Sequence, residues 1–242
     1  MTRLEHPAAL CYSTMRLQED KEDDMLRDCV IFDMDGVLID SQPLHFDIDK
    51  EVLKRAGVSP AQADVERHAG MANKDRWPMY KREFGLNLSA DELINLHVSI
   101  LMKLFHETDL KLINGIPELL NLLKDSGIKT ALASSSSLAL IDLVLEKLQI
   151  RKYFDIIFTG ENVKNSKPDP DVFLKTAEML HSPPEHCVVI EDSANGVQAA
   201  KRAGMVCVAY KNPHSGNQDL SRADLIITSF HEINKTLKWL NA

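Results

Sequence analysis

Six short, continuously apolar runs constrain the fold of this chain most strongly, because amphipathic segments separate most of them. The runs cover residues 29–32, 130–133, 156–158, 188–190, 206–209 and 225–227. Continuous rather than alternating hydrophobicity is typical of strands that are covered on both faces. Helical spacing of apolar residues recurs over 116–126, 138–148, 171–181 and 194–203. This alternation predicts an α/β fold with a doubly wound, Rossmann-like parallel sheet.

The connection between the first two runs is too long for a single crossover, since it extends from residue 33 to residue 129. Residues 45–56 and 89–106 in it have helical spacing, and Ser89 with Glu92 forms a capping-box pattern. The second of these helices is expected to bury Leu93, Leu96, Ile100 and Leu104. We therefore predict an inserted α-helical cap domain over 43–109, and a core domain formed by 25–42 and 110–242.

The composition narrows the possible partners and the cellular location. The chain of 242 residues carries a formal net charge of −8, which argues against broad binding to nucleic acid or to an anionic membrane. No run approaches the roughly 18 apolar residues of a membrane span. Cys29, Cys187 and Cys207 lie in apolar runs without Cys-x-x-Cys spacing, so reduced, structural thiols and a cytoplasmic location are expected.

The N-terminal residues lack a sustained hydrophobic period. Residues 1–24 end in a run of charged side chains, which predicts a mobile extension. Met25 stands directly before the first strand pattern and is interpreted as the start of the folded unit.

Two aspartates directly follow the first predicted strand. In an open α/β sheet, ligands bind beyond the carboxyl ends of the strands. Asp33 and Asp35, separated by one residue, could converge on Mg²⁺, and a carboxylate can also act as a nucleophile. The alternative is a solvated turn, since Asp and Gly are common turn residues.

Three further strand ends carry polar residues of matching chemistry. Serines follow the second strand and offer hydroxyl and N–H groups to an anion, namely Ser134, Ser135 and Ser136. Lys167 precedes Pro168 and could neutralise phosphoryl charge. Glu191 and Asp192 end the fourth strand, where two acids are costly without a cation or solvent. Each signal alone is weak, but all four lie at one edge of the predicted sheet.

These motifs, in this order, resemble those of the haloacid dehalogenase-like superfamily. The matching residues are Asp33-x-Asp35-Gly36, Ser134, Lys167-Pro168 and Glu191-Asp192. A helical insertion after the first motif is similar to the subclass that contains β-phosphoglucomutase and the small sugar-phosphate phosphatases. The resemblance implies a phosphoryl-transfer enzyme that acts on a small phosphorylated metabolite.

The resemblance also implies residue roles. Asp33 would attack phosphorus, and Asp35 would protonate the leaving oxygen and then activate water. Phosphoryl oxygens would be held by Ser134, the Ser135 backbone and Lys167. Mg²⁺ would be held by the Asp33 carboxylate, the Asp35 backbone carbonyl, Asp192 and Glu191. Asp35 counts against a true dehalogenase, which needs neither the metal nor that acid.

The choice between phosphatase and phosphomutase depends on cap residues. His45 matches a histidine that relatives use when the cap closes, and Gly70 resembles the start of the cap specificity loop. Asn73 and Ser137 stand where β-phosphoglucomutase carries an arginine and a lysine, so a phosphatase is favoured over the mutase. Three nearby basic residues could partly substitute for that arginine and lysine, although surface charges on a helix are the favoured interpretation, namely Lys74, Arg76 and Lys81.

The remaining expectations are less specific. Asn195 is expected either to orient Lys167 or to cap a helix, and a monomer is the simplest assembly. A catalytically silent binding protein is the alternative of another class, but it predicts loss of the nucleophile, the lysine or the acidic pair. All of these are present.

Overall fold

The computed structural model describes residues 27–68, 71, 73–234, 238 and 240. The predicted N-terminal extension, residues 1–24, and the proposed start at Met25 lie outside this range. No helix in the described ranges combines the length and the apolar character needed to cross a membrane.

A parallel sheet of six strands forms the centre of the molecule. In chain order its strands are β1 (Cys29–Phe32), β2 (Lys129–Ser134), β3 (Ile156–Thr159), β4 (Cys187–Glu191), β5 (Val206–Tyr210) and β6 (Leu225–Ile227). Their order across the sheet is β3-β2-β1-β4-β5-β6, and every pair is parallel. Phe32 is in register with Leu132 of β2 and with Ile190 of β4. The predicted doubly wound α/β fold is thus confirmed.

Eight helices surround or extend this sheet in the described residues. Four belong to the crossovers: α5 (Ile116–Asp125), α6 (Leu138–Leu148), α7 (Asp171–Met179) and α8 (Ala194–Arg202). Four lie between β1 and α5: α1 (Gln42–Arg55), α2 (Gln62–Glu66), α3 (Asn73–Phe84) and α4 (Ala90–Glu107). We call α1–α4 the cap helices. The domain boundaries at 43 and 109 stay a prediction.

Two apolar cores, one on each face of the sheet, explain the continuous hydrophobicity of the strands. Val30 and Phe32 of β1 point into the core that also contains α5 and α6. Cys29 and Ile31 point into the other core, which contains Phe173 of α7. All four β1 side chains are fully buried. A strand without a solvent face cannot alternate between apolar and polar residues.

The cap helices pack around large buried side chains, and α4 deviates in part from its prediction. The Ser89 hydroxyl accepts a hydrogen bond from the Glu92 backbone N–H at 3.2 Å, as its capping-box pattern indicates. The residues of α4 that become buried are Leu93, His97, Ile100, Leu101 and Phe105. The predicted burial of Leu96 and Leu104 was therefore wrong, because both are only half-buried. The inward face includes a histidine that the apolar pattern did not reveal.

Candidate active site

The carboxyl ends of four neighbouring strands bring the polar motifs together, since β3, after which Lys167 comes, lies beside β2. Because β1 lies between β2 and β4, the residues that follow these strands meet at one edge of the sheet. They line a pocket of about 520 Å³ that also reaches the cap helices. The predicted core residues on its wall are Asp33, Asp35, Ser134, Ser135, Ser136, Lys167, Glu191, Asp192 and Asn195. Sequence reasoning therefore identified one spatial site.

Three buried carboxylates form a cluster around Lys167. One oxygen each from Asp33, Glu191 and Asp192 lies within 4.8 Å of the others. The Lys167 ammonium donates to Asp33 Oδ1 at 2.7 Å and to Glu191 Oε1 at 2.8 Å. The peptide bond between Lys167 and Pro168 is cis. Three carboxylates and one ammonium leave a formal excess of two negative charges.

Burial and the excess of negative charge shift the pKa values of the residues in this cluster. Burial raises the pKa of Asp33 to about 7, and the neighbouring Glu191 and Asp35 add to the rise although Lys167 opposes it. Burial also raises the pKa of Asp192, again with help from Glu191 and Asp33. Burial alone would lower the pKa of Lys167, but the Asp33 and Glu191 carboxylates outweigh it and raise that pKa. A cation would relieve this excess of negative charge.

The residues present fit a divalent cation. The donors are carboxylate oxygens, which hard cations such as Mg²⁺ prefer, and they carry the uncompensated charge described above. Two glycines make room for the acids: a Cβ at Gly36 would lie 2.5 Å from Asp192 Cγ, and one at Gly196 would overlap the Glu191 carboxylate. Glu191 Oε2 already accepts from the Asp192 and Ser193 backbone N–H groups, at 2.8 Å each. This bonding favours a positioning role for Glu191.

Asp35 points away from the acid cluster and is held by three donors. Ser41 Oγ donates to its Oδ1 at 2.6 Å, Ser136 Oγ donates to Oδ2 at 2.8 Å, and His45 Nε2 lies 3.1 Å from Oδ1. Burial by itself raises the pKa of Asp35, but the hydrogen bond and charge of His45, with the two hydroxyl donors, lower it to about 2. Its side chain is therefore an ionised carboxylate. Only its backbone carbonyl remains a predicted metal ligand.

The three serines after β2 differ in their burial and in their hydrogen bonds. Ser134 is buried and its Oγ accepts from the Ser136 backbone N–H at 3.1 Å. Ser135 is exposed on the pocket wall. The Ser136 hydroxyl donates to Asp35 Oδ2 at 2.8 Å and the residue lines the pocket, so its contact with substrate stays a prediction.

Two contacts to the motif residues were missed by sequence reasoning. Ser41 was not singled out, although it lies only six residues from its partner Asp35. Ser215, on the loop after β5, donates a short hydrogen bond to Asp192 Oδ2 across 23 residues of sequence. The position of Ser41 close to the Asp35 motif could have indicated the Ser41 contact, whereas no local sequence pattern indicates the Ser215 contact.

The cap side of the pocket differs most from its prediction. Arg76 is buried rather than a surface charge, and it contacts Asn73, His97 and Asp49. Asn73 Oδ1 accepts from Arg76 Nη2 at 2.6 Å. Lys81 also has a structural use, since its ammonium donates to the Leu86 carbonyl at 2.8 Å.

Three further predicted residues line the pocket, and a fourth lies outside the described residues. Lys74 is exposed on the pocket wall. Asn195 lines the pocket at the start of α8, and Gly70 lies outside the described residues. His45, on α1, contacts Asp35 directly, a contact that its position in the sequence alone did not specify.

Comparisons with known proteins agree with this geometry. A family model described as "Haloacid dehalogenase-like hydrolase" matches residues 30–210. The phosphorylated carbohydrates phosphatase of Thermotoga maritima is 37% identical over 179 residues, which cover 74% of this chain and 82% of that protein. Hexitol phosphatase B of Escherichia coli is 32% identical over 213 residues, which cover 84% and 92% of the two chains.

A solved structure is similar over most of the chain. CbbY from Rhodobacter sphaeroides, in complex with phosphate, has a TM-score of 0.80 at 27% identity. The match covers 90% of this chain and 100% of the CbbY chain. A mutant of CbbY in complex with xylulose-(1,5)bisphosphate has a TM-score of 0.77 at 26% identity, and that match covers 86% and 96% of the two chains.

Proposed function

Since the chain belongs to the haloacid dehalogenase-like hydrolases, we propose that it is a Mg²⁺-dependent phosphatase of small sugar or polyol phosphates. Relatives named as phosphatases of phosphorylated carbohydrates and hexitols support this substrate class. The observation that carries the proposal is the cluster of Asp33, Glu191 and Asp192 around Lys167. It combines a nucleophile, a fixed cation and an excess of negative charge in one pocket.

In the first step, an Asp33 carboxylate oxygen attacks phosphorus and the ester P–O bond breaks. The product is an aspartyl phosphate on Asp33, and the leaving alcohol oxygen takes a proton through Asp35. Asp35 is ionised in this arrangement, so it needs a proton source, and His45 at 3.1 Å is placed to supply one. Lys167 stabilises charge on the phosphoryl oxygens beside Asp33.

In the second step, Asp35 takes a proton from water, the water oxygen attacks phosphorus, and the Asp33–phosphorus bond breaks. Phosphate leaves, and the Asp33 carboxylate is regenerated. Asp33, Asp192 and the Asp35 backbone carbonyl would hold the Mg²⁺. The ion would supply charge neutralisation, which together with positioning provides most of the acceleration in phosphoryl transfer.

The phosphomutase is the weaker candidate for this site. Asn73, which stands where the mutase carries an arginine, is bonded to Arg76 and lies 3.2 Å from His97 Nδ1. It offers no positive charge to the second phosphate of a bisphosphate intermediate, which a mutase must rebind.

We also propose a cytoplasmic monomer. The three described cysteines are buried and free, and buried free thiols are typical of reducing compartments.

The test is phosphate release from a panel of sugar and polyol monophosphates, with Mg²⁺ and with EDTA. Asp33→Asn should lower kcat by about a thousandfold or more, since it removes the nucleophile. Asp142→Asn is the matched control, because Asp142 is an exposed residue of α6 that pairs with Arg151. β-Glucose 1-phosphate belongs in the panel, with glucose 6-phosphate assayed in parallel. Wild-type rates in Asp33→Asn would refute the covalent mechanism, and rapid isomerisation would establish the mutase instead.

A further inference from the structure

The cap end of the pocket contains an arginine that is almost fully enclosed. Arg76 lies in the first turn of α3, lines the pocket and is 7% exposed. Its Nη2 donates to Asn73 Oδ1 at 2.6 Å. Its Nε is buried and has no hydrogen-bond partner among the described residues. An unpartnered buried donor of this kind is costly, and Arg76 as a residue lines the pocket.

A buried carboxylate pairs with this arginine; burial raises the pKa of Asp49, and the Arg76 charge opposes that rise. Asp49 of α1 is 2% exposed, and its Oδ1 lies 3.3 Å from Arg76 Nη2. Tyr80 donates its hydroxyl hydrogen to Asp49 Oδ2 at 3.3 Å. A guanidinium stays protonated in proteins, and a buried one requires a counter-charge. Asp49 does not line the pocket, so it compensates Arg76 from behind.

The two polar side chains that contact Arg76 at this end of the pocket, Asn73 and His97, are uncharged. His97 of α4 is 1% exposed, and its Nε2 lies 3.4 Å from Arg76 Nη2. Burial, together with the positive charges of Arg76 and His45, lowers the pKa of His97 to about 2, so its imidazole is neutral. With the Asn73 amide, Arg76 and its counter-ion Asp49, this cluster offers several hydrogen-bonding groups and no net charge.

A second phosphate would therefore meet an unfavourable surface. It would lose its hydration and gain no uncompensated positive charge from Arg76, His97 or Asn73. A hydroxyl group can accept from the Arg76 guanidinium and can exchange hydrogen bonds with the Asn73 amide and the neutral His97 ring at little cost. Lys74, an exposed residue on the pocket wall, is the rival contact for a distal anion.

We infer that Arg76, Asn73 and His97 form a charge-neutral subsite that binds the hydroxyl-bearing tail of a monophosphate and discriminates against bisphosphates. This inference rests on the proposed phosphatase function and narrows its substrate class. Asp49 then determines selectivity without touching the substrate, because it cancels the charge of Arg76. It is a positioning and charge-compensating residue rather than a catalytic one.

The experiment compares mannitol 1-phosphate with mannitol 1,6-bisphosphate, whose two ends are equivalent. Wild-type enzyme should prefer the monophosphate by at least about tenfold in kcat/KM, the factor expected from one charged contact. Asp49→Asn keeps the side-chain shape but leaves the Arg76 charge without its counter-charge. The preference for the monophosphate in kcat/KM should therefore fall by about tenfold. In the double variant Asp49→Asn with Arg76→Met, which has neither charge, the wild-type ratio should return.

Control variants and outcomes separate this inference from the proposed function. Lys74→Ala should leave the wild-type ratio unchanged. Equal turnover of both compounds by the wild-type enzyme, or no change in Asp49→Asn with an intact melting temperature, would overturn the neutral subsite while the phosphatase stands. If Asp49→Asn does not fold, the ratio of kcat/KM for the monophosphate to that for the bisphosphate in the wild-type enzyme still tests the neutral subsite. Absence of Mg²⁺-dependent turnover on every compound of the wider panel would overturn the proposed function, and the inference with it.

Discussion

Replacing Gly36 by alanine tests whether the fold positions Asp192 for a cation. Gly36 follows Asp35 and has a φ of +80°, and an added Cβ would lie 2.5 Å from Asp192 Cγ. Ordinary carbon–carbon contacts are about 3.5–4.0 Å, so the carboxylate would have to move by about 1 Å. Since Asp192 is buried and its carboxylate lies within 4.8 Å of those of Asp33 and Glu191, such a movement would disturb the geometry of the acid cluster.

Gly204→Ala is the matched control for this substitution. Gly204 follows α8 with a φ of +76°, and an added Cβ there would meet nothing within 4 Å. Both variants carry the strain of a left-handed alanine, about 1–2 kcal/mol. For a chain of this size, that strain lowers the melting temperature by about 2–8 °C. Only Gly36→Ala should also disturb the acid cluster.

The assay is phosphate release as a function of Mg²⁺ concentration, together with thermal unfolding of each variant. Gly204→Ala should keep wild-type Mg²⁺ activation. Gly36→Ala should require about 10- to 100-fold more Mg²⁺, the loss that follows when metal-site geometry is disturbed. Wild-type Mg²⁺ activation in Gly36→Ala would refute the role of Asp192, and equal losses in both variants would show that general destabilisation is responsible.

Two further predictions concern the charged groups of the site, both measured in EDTA so that no metal competes. His45→Gln removes the charge that holds Asp35 ionised, so the pKa of Asp35 should rise from about 2 toward 3.8; a ¹³C NMR titration of that carboxyl measures it, and an unchanged value contradicts the role of His45. Lys167→Met leaves Asp33 and Glu191 without their shared cation and should lower the free energy of unfolding at pH 8 by about 3–5 kcal/mol. The pKa of Asp33 is already raised to about 7 with Lys167 present, so protonation of the folded variant should recover stability as the pH falls from 8 to 5 in urea-unfolding experiments; a pH-independent loss contradicts the charge explanation.

The sheet and the reaction end of the pocket could be predicted because their signals are local. Each strand is a short apolar run. Asp33 directly follows β1, Asp192 directly follows β4, and Lys167 lies on the loop after β3, so the strand order brings these residues to one edge. The cap end could not be predicted in this way. Asp49, Arg76 and His97 come from three different helices, and charged residues on helices are most often solvated. Only the packing of α1, α3 and α4 reveals that Arg76 is buried against a carboxylate.

The two ends of the pocket meet at Asp35. One of its oxygens accepts from Ser136, which follows β2, and the other is contacted by His45 of α1, a cap helix. The pKa of Asp35 therefore depends on where α1 lies, because a longer distance to His45 weakens the interaction that keeps the carboxylate ionised. The Arg76–Asp49 ion pair joins α3 to the same helix α1, so α1 provides side chains to both ends of the pocket.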